Sequence, residues 1–365
     1  MRIKENKKKY LYLEVMRIFA CFFVIFNHTE KYGFFLFSQR PAGGIQFFVY
    51  LFLSIFCKFA VPLFFAISGA LLLAREDEPL KILWKKRIGK MAAILIVFSF
   101  VYYLYDVYKG EQVFHLSDFF MKLYSDKWNF SYWYLYAYLG FLVTLPFLRA
   151  LAKNLKDEYF YYLFVLAIVF SGILPCIHYY FWQNTALLNQ SFNVKWLYSN
   201  AVLYPCLGYF LEHRLDLEEH KKSILVIWIV NVAAIMVSCY MTYYRVLITG
   251  ECSESQSQTF HASFVMINCA AMYVAIKYVF SRIKLPVFAE KLIYSLGSCT
   301  FGIYLLHILV MKKWKLLYNL QDFFRNQWGL NQMLAVFLVC FCTMMIGYVM
   351  TLILKKIPFI GQLIS

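Results

Sequence analysis

Ten apolar stretches, most close to membrane length, alternate with short polar segments along the chain. They run over roughly residues 11–30, 47–74, 90–108, 131–150, 159–177, 196–211, 223–246, 261–281, 296–311 and 331–354. A membrane-crossing helix needs about 20 predominantly apolar residues, so each stretch predicts one. The second is overlong and contains Lys58 and Pro62, which predicts a tilt, a kink or a part outside the hydrocarbon. The sixth and ninth are short. The pattern predicts an all-α, polytopic integral membrane protein of about ten transmembrane helices, folded as a single domain over 1–365.

Composition agrees. The chain is 62% hydrophobic, 21% aromatic and only 15% charged, where a soluble domain carries about 25% charged residues. A soluble fold of this length would expose apolar surface that no polar shell covers. The net charge of +16 does not predict nucleic-acid binding, because the cations fall between apolar segments and form no stripe. Ten cysteines lie mostly within apolar segments, without a CxxC pair. They read as small apolar packers, not as disulfides or metal ligands.

The cations set the topology. The first nine residues carry five Lys/Arg and run directly into the first apolar stretch, with no small-residue cleavage site after it. This is the pattern of a retained signal anchor with a cytoplasmic N-terminus. With that orientation, 22 Lys/Arg fall in segments placed inside and 11 in segments placed outside. The bias predicts both termini inside and an even number of helices. Tyr102-Tyr103, Tyr132-Trp133-Tyr134, Tyr179-Tyr180 and Tyr243-Tyr244 sit near expected interfaces, as an aromatic belt does. Asn129-Phe130-Ser131 and Asn189-Gln190-Ser191 match the short glycosylation pattern.

Against this background two polar residues stand out. Arg17 and His28 are eleven residues apart on the first stretch. That spacing is close to three helical turns, so both share one face, roughly 16 Å apart along the axis. Charged and titratable groups inside a span are costly and usually face a bundle interior or a wet cavity. A neutral imidazole can take a proton from a hydroxyl, and a positioned base contributes about 10²–10⁴-fold. A structural histidine bonded to a neighbouring helix is the alternative. Arg17 either contacts an anion, snorkels, or pairs with Glu14 at i−3.

The loop Trp84-Lys85-Lys86-Arg87-Ile88-Gly89-Lys90 is either a topology signal or a cradle for a phosphorylated ligand, with Arg87 and Lys90 on one face. Phe64-Phe65-Ala66-Ile67-Ser68-Gly69 ends the second stretch, where small residues allow close packing and Ser68 can bond across helices. His307 is a second intramembrane imidazole, in a packing role or in the site. His115, His178, His213, His220 and His261 lie in loops or at helix ends. No GxSxG, HExxH, Walker or Rossmann motif occurs, and no metal site is expected.

Taken together these pieces resemble the acyltransferase 3 family of integral membrane acyltransferases. The resemblance rests on Arg17 and His28 in the first helix, Phe64-Phe65-Ala66-Ile67-Ser68-Gly69 before a basic loop, and Ser298-Cys299-Thr300-Phe301-Gly302-Ile303-Tyr304-Leu305-Leu306-His307 late in the chain. Trp133-Tyr134-Leu135, with Pro146 further along, resembles the family's fourth helix. The resemblance spans almost the whole chain in order.

It implies transfer of an acyl group, often acetyl, from cytoplasmic acyl-CoA to a carbohydrate hydroxyl. His28 would be the essential histidine and Arg17 its partner. Arg87 and Lys90 would contact the coenzyme, where the family often has two arginines. Ser68, Trp133, Tyr304 and His307 would line the site. Acyl-CoA would be a donor substrate and not a resident cofactor. The acceptor would be a cell-surface or lipid-linked glycan, and the location a bacterial plasma membrane. A polytopic transporter or glycan flippase is the rival reading, although its usual internal repeat is not visible. A glycan polymerase would normally bring a large loop with carboxylates.

Overall fold

The computed structural model describes residues 11–184, 192, 194–216, 221–252 and 260–364. The basic run of residues 1–9, His220 and the Asn189-Gln190-Ser191 pattern lie outside them. Every regular element among the described residues is helical. Seven helices are long and apolar enough to cross a membrane: Ile45–Leu72, Leu80–Tyr108, Phe130–Asn154, Asp157–Trp182, Lys222–Thr249, Val287–Lys313 and Gln332–Leu354. Three shorter ones, Leu11–Asn27, Leu203–His213 and Val265–Phe280, occupy the first, sixth and eighth apolar stretches.

We number the helices of seven residues or more. The first is α1 (Leu11–Asn27), the hub of the molecule. Around it pack α3 (Ala60–Leu72), α11 (Val265–Phe280), α12 (Val287–Ile308) and α14 (Gln332–Leu354). The remaining helices are α2 (Ile45–Phe56), α4 (Gly89–Tyr108), α5 (Leu116–Ser125), α6 (Trp133–Asn154), α7 (Asp157–Ile168), α8 (Leu174–Trp182), α9 (Leu203–His213), α10 (Lys221–Thr249), α13 (Leu316–Asn326) and α15 (Pro358–Ile364). The core is continuous, with Met16, Ala20, Ile25 and Phe26 of α1 fully buried in it.

The expected irregularity of the second span is a short 3₁₀ turn at Cys57–Phe59, between α2 and α3. Pro62 follows in the first turn of α3, where its missing N–H costs no helical bond. Two asparagines brace this turn with further bonds to its carbonyls: Asn27 Nδ2 donates to the Cys57 carbonyl at 3.3 Å, and Asn268 Nδ2 to the Phe56 carbonyl at 2.5 Å. Helices α7 and α8 are likewise joined through a π turn, Val169–Ile173, just ahead of Pro175.

Helices α3 and α9 meet backbone to backbone. A Cβ on Gly69 would collide with the Pro205 carbonyl, and one on Gly208 with that of Ala66. The close packing read from Ser68-Gly69 is therefore the work of Gly69. The Ser68 hydroxyl donates to the Phe64 carbonyl of its own helix at 2.9 Å and also meets the Tyr138 hydroxyl of α6.

The Asn129-Phe130-Ser131 match is structural. Asn129 is 3% exposed, and its Oδ1 accepts from the Ser131 N–H at 2.9 Å and the Ser131 hydroxyl at 3.0 Å. It caps the turn that leads into α6.

Candidate active site

A cavity of about 770 Å³ opens between α1, α3, α4, α6 and α12, with the C-terminal residues of the described chain closing one side. Its polar end is lined by Arg17, Lys86, Arg87, Lys90 and Lys355, with Glu14 as the carboxylate among them. Ser68 and Ser298 add hydroxyls, and the deeper wall is Val24, Val61, Ile94, Tyr134 and Tyr304. An apolar shaft with a cationic rim suits a ligand with a charged head and a slender apolar arm.

The cations at this rim are mostly held. Arg17 pairs with Glu14 three residues earlier on α1. Gly297 of α12 makes room for that carboxylate, since a Cβ there would strike it. Arg87 Nε donates to Glu78 Oε1 at 2.6 Å. Arg149, only 2% exposed at the end of α6, reaches the same Glu78 oxygen at 3.2 Å and donates to the Leu72 carbonyl at 2.9 Å. Glu78 thus ties the loop before α4 to the ends of α3 and α6. Partial burial works to raise the Glu78 carboxyl, but Arg87 and Arg149 outweigh it and hold it below the usual carboxylate range. Lys355 donates to the Ser298 carbonyl at 2.9 Å and to its hydroxyl at 3.2 Å.

His28 lies beyond the deep end. Helix α1 stops one residue before it, at Asn27, instead of running to residue 30. The His28 N–H bonds to the Ile25 carbonyl at 3.1 Å, and the Thr29 hydroxyl donates to that of Phe26 at 2.7 Å. Glu30 follows in the left-handed region, φ +51°, a conformation that non-glycine residues adopt at a cost. The partly exposed His28 ring stacks on His307 with centroids 5.2 Å apart, and the Phe130 ring stands edge-on at 4.9 Å.

His307 is fully buried. Its Nδ1 lies 2.5 Å from the Tyr304 carbonyl, which can only accept. In the neutral ring Nδ1 therefore carries the proton, and Nε2, buried without a partner, is the accepting nitrogen. Tyrosines fix this helix in turn. Tyr304 donates to the Ser131 carbonyl at 2.5 Å, and Tyr132 to that of Leu305 at 3.0 Å. Tyr102 accepts the Leu309 N–H at 2.9 Å, where α12 passes into a π turn at Leu309–Lys313. π turns commonly accompany functional sites.

Of the residues singled out in the sequence, Arg17, Ser68, Arg87, Lys90 and Tyr304 line one cavity. His28 and His307 adjoin it, four residues from Val24 and three from Tyr304. Trp133 does not line it: the side chain is 38% exposed on the outside of α6, and Tyr134 faces inward in its place. Sequence reasoning also missed Tyr138, Lys355, Glu78 and Arg149. A charged residue close to an apolar stretch was the available signal for Glu78 and Arg149.

Comparison with known families finds a match to the acyltransferase 3 family, described as an acyltransferase domain, over residues 10–352. No curated protein and no solved structure matches the chain.

Proposed function

The chain belongs to the acyltransferase 3 family and is a membrane acyltransferase; from that premise we propose that it is an O-acetyltransferase. It takes the acetyl group from acetyl-CoA and places it on a hydroxyl of a cell-surface or lipid-linked carbohydrate. The observation that carries this reading is the cavity, which runs from Arg17, Arg87 and Lys90 to Tyr304, one turn from two stacked histidines.

In this reading the rim faces the cytoplasm, with both chain termini inside and the protein in a bacterial plasma membrane. Arg87, Lys90 and Arg17 hold the phosphates of the donor; a guanidinium matches phosphate geometry and an ammonium serves as a point charge. The slender arm of the coenzyme runs up the apolar shaft and brings the thioester toward His28. His28 takes the proton of the acceptor hydroxyl as its oxygen attacks the thioester carbonyl. The C–S bond breaks, and the leaving thiolate is protonated by the imidazolium. In a two-step variant His28 itself attacks, carries the acetyl group, and passes it to the acceptor. His307, fixed by the Tyr304 carbonyl, holds the plane of the His28 ring.

The test is transfer of radiolabelled acetyl from acetyl-CoA into membrane and surface glycan, by wild type, His28→Ala and membranes without the protein. Label that requires both the protein and His28 supports the reading. Equal label with His28→Ala discards this active site but keeps the enzyme class. Labelled protein accumulating without acceptor selects the two-step route.

A further inference from the structure

Lys58 stands at the middle of a membrane-length helix, in the 3₁₀ turn between α2 and α3. Its position is built: Asn27 and Asn268 brace the turn by donating to the Cys57 and Phe56 carbonyls. Its ammonium lies 4.7 Å from the Phe34 ring centroid. No carboxylate or hydrogen-bond partner accompanies it among the described residues. An ammonium at such depth is costly unless an opposite charge meets it. A cation–π contact offsets only part of that cost.

A second lysine approaches from another element. Lys312, in the π turn after His307, lies 4.4 Å from the Phe130 ring centroid. That ring is the one edge-on to His28. Lys312 is paired with Glu30, so one of the two cations is neutralised and the other is not. Asn27, the neighbour of His28, bonds to the carbonyl of Cys57, the neighbour of Lys58, and His28 is partly exposed. The donor's phosphates have their own cations at the far rim of the cavity. The surplus charge beside His28 therefore belongs to the other substrate.

We propose that Lys58, with Lys312 beyond His28, forms a subsite for an anionic group, carboxylate or phosphate, on the acceptor whose hydroxyl His28 serves. The inference rests on the acyl-transfer reading above and narrows its acceptor to an acidic sugar or a phosphate-linked one. Lys58 binds the acceptor and holds its hydroxyl over His28; Lys312, released in part from Glu30, shares the anion.

The experiment uses the full chain in lipid nanodiscs with radiolabelled acetyl-CoA and acceptor pairs that differ only in charge. One pair is octyl glucuronide and octyl glucoside. The other is farnesyl-diphosphoryl N-acetylglucosamine and farnesyl N-acetylglucosaminide. Wild type is expected to prefer the anionic member of at least one pair by about tenfold or more in kcat/KM, as a charge-assisted contact gives. The glucuronide pair responds if the anion is a sugar carboxylate, and the diphosphate pair if it is the lipid linkage. In Lys58→Met the preference should fall to about onefold through a higher acceptor KM. Lys58→Arg should retain it.

Equal use of both members of both pairs by wild type overturns the proposal. So does a Lys58→Met variant that slows both members alike, which marks a role in folding or in the chemical step. Wild type that shows no His28-dependent acetyl transfer or acetyl-CoA hydrolysis defeats the acyl-transfer reading itself, and the subsite falls with it. The two failures are told apart by that hydrolysis.

Discussion

The two ends of the active-site region handle positive charge in opposite ways. At the rim Arg17 has Glu14, and Arg87 shares Glu78 with the buried Arg149. At the histidine end Lys312 has Glu30, but Lys58 rests on an aromatic ring with no carboxylate partner among the described residues. A clamped guanidinium is already in place when a phosphate arrives and gives up only part of its bonding. An unclamped ammonium gains its partner only when a ligand comes. The rim is therefore preorganised, whereas the histidine end is left incomplete until its ligand binds.

The sharpest separation of the two ends is His28→Ala. Transfer should fall by about 10²–10⁴-fold or more, with acetyl-CoA still binding the rim, as measured by equilibrium binding of labelled donor. Normal turnover in that variant would falsify the role of His28. Next in size is Arg149→Met, in which Glu78 keeps Arg87 but the Leu72 carbonyl loses its donor. A buried acceptor left unpaired costs about 1–3 kcal/mol, so the solubilised protein should melt below wild type; an unshifted melting curve removes the clamp from the comparison.

Arg87→Ala should act more gently, raising the KM for acetyl-CoA about tenfold with kcat little changed. An unaltered KM would leave the loop as a topology signal only. The smallest effect is acid dependence. The two guanidiniums hold Glu78 below the usual carboxylate range. Its contribution is then fully present above the ordinary carboxylate value and is lost as pH falls through the lowered one. The stability gap between wild type and Glu78→Gln should be constant above about pH 5 and close below about pH 4. A gap that closes near neutral pH would mean that another group carries it.

The all-helical class was legible because unbroken apolar stretches of membrane length leave little alternative. The rim was partly legible as well: the pair with Glu14 at i−3 was one of three readings open for Arg17 and is present, and the basic loop lines the cavity through Lys86, Arg87 and Lys90. The rest depends on contacts that helical periodicity does not encode. Trp133 and Tyr134 are adjacent in sequence but about 100° apart around α6. Without the rotation of that helix nothing told which one faces inward. Glu78 and Arg149 are far apart in sequence and meet only because α3 and α6 end side by side. The end of α1 at Asn27 falls where the sequence turns polar, at Asn27-His28-Thr29-Glu30-Lys31, three residues inside the expected boundary. Asn27 and Asn268 are 241 positions apart and meet at one turn only through the packing of α1 and α11 around it.

The seam between α3 and α9 has a mechanical consequence. With Gly69 pressed on Pro205 and Gly208 on Ala66, the two helices form one stiff member that cannot slide without steric collision. That member carries Phe64, Ser68 and Leu72, one whole wall of the cavity. Across the cavity from it stands a lighter wall, where the short α15 leans on α4. The vessel has one welded side, and any ligand that fills it must shape itself to that side.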